Sequence, residues 1–400
     1  MLRHAIPLLI ALLPLVGLAA LQFSFSVVAP LMMRAMGQPP EAFGMLAGMI
    51  GLGSVWFYIA SHAVTPAFGP VRTLRYGLWL AAMGATCMAF GSTPLVYAGA
   101  LMFGFAYGTT TPAGSQVLAE FTPKTVWGTL FSIRQAGVPL GGMIAGLATT
   151  ALSAAYGWQT ALISLAVVAG LLGAGLLAVP RAYNEGRALI RFRPAELIAP
   201  RNLLRPLRYV RRVPGLTSLT AAACGFATMH ATVTMFFVTF LYAGLGVPLT
   251  TAGALFALLQ GFAITGRIVF GYIADRYASP LAVLKIQAPL SAAAALLLAT
   301  FSARWPIAIM ALASAAVGLT VGTWNGLFLA QVARTAPEGE VSEATAASGA
   351  MVFLTYMLVP PLFGLSAAVF GYDTALILFA FAPLFAYAVL IDRVEAAASG

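Results

Sequence analysis

Apolar residues along this chain neither alternate with polar ones nor keep to one helical stripe. They run in unbroken blocks separated by short polar or basic breaks. A helix crosses a bilayer with about 20 mostly apolar residues. Blocks of that size lie near 8–32, 44–67, 74–92, 94–119, 127–151 and 158–179, and again near 216–241, 248–274, 281–301, 305–331, 345–368 and 373–391. The pattern predicts twelve membrane-spanning helices, six on either side of a basic interruption. The dyad alternation of a membrane β-barrel is missing. The first block follows a positively charged start in MLRHAIPLLIALLPLVGLAAL, which invites a secretory-signal reading. It runs on to about Met33, too far for a signal's apolar core, and is read as the first span.

Composition agrees with a bilayer as solvent. The chain is 61% hydrophobic and 8% charged, against about 45–50% and 25% for a soluble domain. Twenty-one Lys and Arg oppose eleven Asp and Glu, a formal charge of +10. The excess sits in loops, so it reports topology rather than a nucleic-acid surface. The segment PRAYNEGRALIRFRPAELIAPRNLLRPLRYVRRVP, between the sixth and seventh spans, holds nine arginines against Glu185 and Glu196. The positive-inside rule puts it in the cytoplasm. Six spans precede it, so both termini are expected there too, in an inner or plasma membrane. Arg3, Arg72, Arg75, Lys124, Arg276, Lys285, Arg334 and Arg393 fall on the same side, and only Arg34 and Arg304 fall outside. Anionic lipid headgroups are the expected partner of the central arginines.

Internal repetition divides the chain. Gly108-Thr109 recurs as Gly322-Thr323, and Pro123 as Pro337. Gly157-Trp158-Gln159-Thr160-Ala161-Leu162-Ile163 recurs as Gly371-Tyr372-Asp373-Thr374-Ala375-Leu376-Ile377, all at an offset of 214 residues. A constant offset argues for a duplicated six-span unit. The expected organisation is a bundle over 1–179, a basic linker over 180–214 and a second bundle over 215–400.

Between spans eight and nine, Gly271-Tyr272-Ile273-Ala274-Asp275-Arg276 matches a G-x-x-x-D-R pattern. With the two six-span halves, it resembles the major facilitator superfamily of secondary transporters. The resemblance implies an all-α fold of twelve helices in two pseudo-symmetric bundles, and a conformational role for Gly271, Asp275 and Arg276. The corresponding loop after span two, HAVTPAFGPVRTLRYG, keeps Gly69 and Arg72 but has Pro66 in place of the acid. On span five, Gly137, Pro139, Gly141 and Gly142 resemble the family exporters' glycine-proline motif in compressed form, PLGG for GPxxGG. A narrower likeness to organic-anion and monocarboxylate-type carriers rests on Ser132-Ile133-Arg134-Gln135-Ala136-Gly137 and on Gly266-Arg267. The acid that accompanies the eighth-helix arginine in monocarboxylate carriers would fall near Ala263, where none stands.

An ionisable side chain inside a membrane helix costs about 2.5–3.5 kcal/mol on insertion scales and is a functional candidate by default. Arg134 and Arg267 are the two arginines set well inside spans. Guanidinium there suits a carboxylate or phosphate, although snorkelling to headgroups is the competing reading. His230, near the middle of span seven, is the candidate proton carrier or hydrogen-bond donor. No carboxylate lies mid-span, which argues against coupling through a buried acid and against organic cations. Gln22, Gln135, Gln260 and Asn325 are polar candidates for the substrate, with Trp324 and Tyr356 as stacking surfaces; interhelical hydrogen bonding is their alternative. GxSxG, HExxH and P-loop patterns are absent, and Cys87 and Cys224 make no redox or metal pair. No enzyme activity, cofactor, metal or nucleic acid is expected.

The expected function is alternating-access transport of a small organic anion by a monomer, with uniport, exchange and proton symport all open. Export of drug-like apolar compounds is the alternative within the same class. A non-transporting membrane sensor or assembly protein on the same scaffold is the alternative outside it.

Overall fold

The computed structural model describes residues 5–90, 92–123, 127–183, 193–197, 202, 204–338 and 340–398, and no strand occurs among them. Of the charged positions named above, Arg3, Lys124 and Glu185 lie outside the described residues, as do Arg187, Arg191 and Arg201 of the basic segment. The chain divides into two compact units, Met1–Gln38 with Met49–Leu203, and Pro39–Gly48 with Leu204–Gly400.

The first unit contains α1 (Ala5–Ala35), most of α2 (Phe43–Phe68), α3 (Pro70–Ala89), α4 (Thr93–Gly108) and α5 (Thr110–Phe121). It continues with α6 (Trp127–Gln135), α7 (Gly137–Ile144), α8 (Thr150–Tyr156) and α9 (Trp158–Gly175). A π-helical turn, Ala145–Thr149, joins α7 to α8. The first turns of α2, up to Gly48, group with the second unit. Part of the linker is tied to α2 within the first unit: the Trp56 indole donates to the Leu197 carbonyl at 2.7 Å, and His62 stands 3.7 Å from Glu196.

The second unit contains α10 (Arg205–Arg212), α11 (Leu216–Thr239), α12 (Leu249–Arg276), α13 (Pro280–Ala299) and α14 (Ile307–Val321). It ends with α15 (Trp324–Thr335), α16 (Val341–Phe370), α17 (Tyr372–Phe379) and α18 (Phe381–Ala398). Among the described residues, ten helical stretches are long and apolar enough to cross a membrane, three of them running through a break within α6–α8, α14–α15 or α17–α18. The two remaining predicted spans are helical as well. Arg72 and Arg75 dilute the hydropathy of α3, and the span over 94–119 is broken at Thr109 into α4 and α5.

The repeat has a physical counterpart in each unit. Gly157 and Gly371 precede α9 and α17 with φ of 88° and 83° and ψ of 156° and 161°. Only glycine reaches that region without strain, which accounts for its presence at the same offset. A second matched pair is Gly104 on α4 and Gly318 on α14. A Cβ at Gly104 would collide with the Ile50 carbonyl of α2, and one at Gly318 with the Leu259 carbonyl of α12. Helices in a bilayer associate by close backbone approach at small residues, and each half uses one at the same place.

Candidate functional site

Span five is loosened just beyond Arg134. Pro139 cannot donate an amide to the carbonyl four residues back, and the chain passes from α6 to α7 at Ala136. The Arg134 side chain turns inward and is 1% exposed. It meets the break in span four, where Thr109 Oγ1 returns to the Ala106 carbonyl at 2.7 Å and Thr110 Oγ1 to the Tyr107 carbonyl at 2.8 Å. Such back-bonding competes with the helical ladder. Arg134 Nη2 donates to the Thr110 carbonyl at 2.6 Å, and Nη1 lies 3.4 Å from Ser115 Oγ. Its Nε is buried without a partner. Gly114 makes the room: a Cβ there would stand 2.9 Å from that nitrogen. Tyr58 and Tyr107 are the phenols within electrostatic range of the guanidinium, and Tyr58 shares a hydrogen bond with Thr111. Among the described residues no carboxylate pairs with Arg134.

The second unit repeats the device with an arginine from a different helix. Span ten breaks between Val321 and Trp324, and Arg267 of α12 donates from Nε to the Gly322 carbonyl at 3.0 Å. His230 lies nearby, within electrostatic range of Arg267. The Tyr356 hydroxyl and His230 Nδ1 share a hydrogen bond of 2.8 Å. The His230 ring stands edge-on to Trp324, and Trp324 stacks on Phe226 with centroids 6.0 Å apart. Trp324 is fully buried, yet its indole N–H has no partner.

The sequence-predicted residues are divided between the two units. Arg134, Gln135 and Gln22 belong to the first unit; Arg267, His230, Trp324, Tyr356, Gln260 and Asn325 belong to the second. Gln22 Oε1 and Gln260 Nε2 are buried without partners, while Asn325 and Gln135 are half-buried. The span-five glycines pack helix on helix: a Cβ at Gly137 would stand 2.8 Å from Leu12 Cδ1, and one at Gly141 2.6 Å from the Ala20 nitrogen of α1. Pro139 and Gly142 are buried beside them. Gly271 faces open space, and Asp275 and Arg276 are exposed. Tyr58, Tyr107, Thr110 and Ser115 were not anticipated. The threonine run after Gly108, already marked by the repeat, was a signal for Thr110; Tyr58, Tyr107 and Ser115 had none. No group of three or more His, Cys, Asp or Glu that could hold a metal occurs among the described residues.

Comparisons with known proteins follow the same line. The family model described as Major Facilitator Superfamily matches residues 12–329. No curated protein shows significant sequence similarity to the chain. A bacterial homologue of the human lysosomal transporter Spinster has a similar fold in two crystal structures. In its inward-facing, occupied state the TM-score is 0.76 at 14% identity, over 99% of this chain and 97% of that one. In its inward-facing, unoccupied state the TM-score is 0.74 at 15% identity, over 97% and 96%. A mutant peptide transporter, POT, in complex with sulfate gives 0.74 at 15% identity, over 97% and 94%. At such identities the likeness is one of fold.

Proposed function

Because the chain belongs to the major facilitator superfamily, and so is a membrane transporter rather than an enzyme, we propose that its substrate is a small organic anion of the carboxylate type, bound first by Arg134. One observation carries this reading. Arg134 is buried, faces carbonyl and hydroxyl oxygens, and keeps a donor nitrogen with no partner. An uncompensated buried charge is costly, and a carboxylate or phosphate matches guanidinium in charge and in planar donor geometry. Neighbouring Tyr58 and Tyr107 supply phenols of the kind that hydrogen-bond an anion.

In the second unit Arg267 supplies a second guanidinium and the buried Trp324 indole an N–H donor, with His230 and Tyr356 beside them. Gln22, Gln135, Gln260 and Asn325 complete the proposed substrate-contacting set. Alternating access of a bundle over 1–179 and one over 215–400, with Asp275 and Arg276 as a conformational latch, completes the mechanism. In this reading both termini and the linker face the cytoplasm of an inner or plasma membrane, and one chain is the working unit.

The test is binding of small carboxylates to the purified chain. Arg134→Gln should lower affinity about ten- to a hundredfold, the worth of a charge-assisted hydrogen bond, while the variant still folds. Arg134→Lys should restore little, because a point charge does not reproduce the planar fork. Unchanged binding by Arg134→Gln, or binding confined to lipophilic cations, overturns the anion reading and favours export of apolar compounds.

A further inference from the structure

Apart from these residues, α10 (Arg205–Arg212) concentrates charge: four of its eight residues are arginine and none is acidic. At 3.6 residues per turn the four arginines share an arc of roughly 120°. Tyr209 and Val210 are buried on the rest of the helix, with Val213 just beyond it. This buried side is anchored within the second unit. The Tyr209 hydroxyl donates to Glu340 Oε2 at 2.8 Å, before the start of α16, and Arg205 Nη2 pairs with Glu343 Oε1 at 3.2 Å. Thr217 Oγ1 of α11 donates to the Val210 carbonyl at 3.0 Å.

Glu343 therefore matches the charge of Arg205. Arg208, Arg211 and Arg212 are exposed, and among the described residues none of them is paired with a carboxylate. Only Val213, Pro214 and Gly215 separate α10 from α11, a buried apolar helix long enough to span. Three residues reach about 10 Å at most, so with α11 across a bilayer α10 would stay near the depth of the lipid phosphates. Unpaired arginines there are complementary to anionic headgroups, and clusters of basic residues next to a span bind such lipids.

We propose that Arg208, Arg211 and Arg212 form a headgroup site for an anionic phospholipid, with Tyr209, Glu340 and Glu343 holding α10 so that this face meets the membrane surface. The site is independent of the substrate reading and survives its failure.

The experiment is titration of the full-length protein, in a zwitterionic detergent, with phosphatidylglycerol or phosphatidylcholine, read by native mass spectrometry. Wild type should retain phosphatidylglycerol in preference to phosphatidylcholine. Each Arg→Gln change should weaken that retention about fivefold, and the triple change R208Q/R211Q/R212Q about a hundredfold. The triple Arg→Lys variant should stay near wild type, because headgroup attraction needs charge rather than a planar fork. Melting without added lipid checks that each variant folds; if the triple glutamine variant does not, the three single variants carry the test. Equal retention of both lipids, or wild-type retention by the glutamine variants, overturns the proposal. Displacement of the lipid by inorganic phosphate would reassign the site to a free anion, and preferential capture of an acidic peptide would reassign it to a protein partner. Either result overturns it as well.

Discussion

Arg134 and His230 are both buried ionisable groups, but they differ in what surrounds them. Arg134 has oxygen acceptors and one nitrogen left over. His230 has a definite partner in Tyr356 and an aromatic wall in Trp324. A proton carrier must gain and lose charge during transport, and a shared hydrogen bond to a phenol gives the imidazole a fixed orientation for doing so. Should transport be proton-linked through His230, His230→Gln will leave anion exchange running and abolish accumulation driven by a pH gradient. Tyr356→Phe, which keeps the ring and removes the hydroxyl, will weaken that accumulation without abolishing exchange. Uptake assays in proteoliposomes under an imposed pH gradient separate these outcomes. Continued accumulation by His230→Gln would exclude this residue as the carrier. Both positions were identifiable in the sequence as polar residues inside apolar blocks. The partners of Arg134 were not, because Tyr58 and Tyr107 look like ordinary span aromatics until packing brings a charge beside them; Tyr356 was expected as a stacking surface, and only packing makes it the hydrogen-bond partner of the imidazole.

At the scale of helices, the same small-residue contact serves both halves. Gly104 lets α4 lie against α2, with Ser54 Oγ donating to the Gly104 carbonyl at 3.0 Å, and Gly318 lets α14 lie against α12. A side chain at either position meets backbone rather than the flexible end of a side chain, so it cannot be absorbed by a rotamer change. Gly104→Leu and Gly318→Leu should each destabilise their unit by about 1–3 kcal/mol or more, the range for overpacking. The readout is the melting temperature of the purified protein, and a shift within error for both variants would show that the helices separate at no cost. Gly271→Leu is the control, since open space surrounds it, and it should leave melting nearly unchanged. Arginines also reach carbonyls across neighbouring helices: Arg267 of α12 does so at the end of α14, and Arg134 of α6 at the start of α5. Gly322 lies past the end of α14, where helix carbonyls lose their own amide donors, and the Arg267 guanidinium supplies the donor there.

For the whole molecule the open question is which side each loop faces, and charge provides the argument. Moving a basic loop across the membrane is opposed during insertion, so loops rich in Lys and Arg stay inside. Arg193 in the linker and Arg304 between α13 and α14 are both exposed and lie on opposite sides of the predicted topology. In a background with Cys87 and Cys224 replaced, a membrane-impermeant thiol reagent applied to intact cells should modify Arg304→Cys and spare Arg193→Cys. The reverse pattern would invert the orientation, and equal labelling would break the alternation of spans on which it rests.

Much of this was legible from the linear chain because a bilayer reads hydrophobicity locally: about 20 apolar residues make a span whatever they later pack against. The repeat was legible for a similar reason, since Gly157 and Gly371 answer to a backbone conformation that only glycine adopts freely. The helical character of the chain and the placing of Arg134 and His230 inside apolar blocks therefore came from sequence. Tertiary structure alone decided what those groups meet. Arg134 finds Thr110 and Ser115 on another helix, Arg267 finds Gly322, and α10 finds Glu340 and Glu343. Each pairing joins residues distant along the chain, and its geometry depends on where one helix breaks and how closely its neighbour approaches. Neither quantity is a property of a single segment, so no local pattern could announce it.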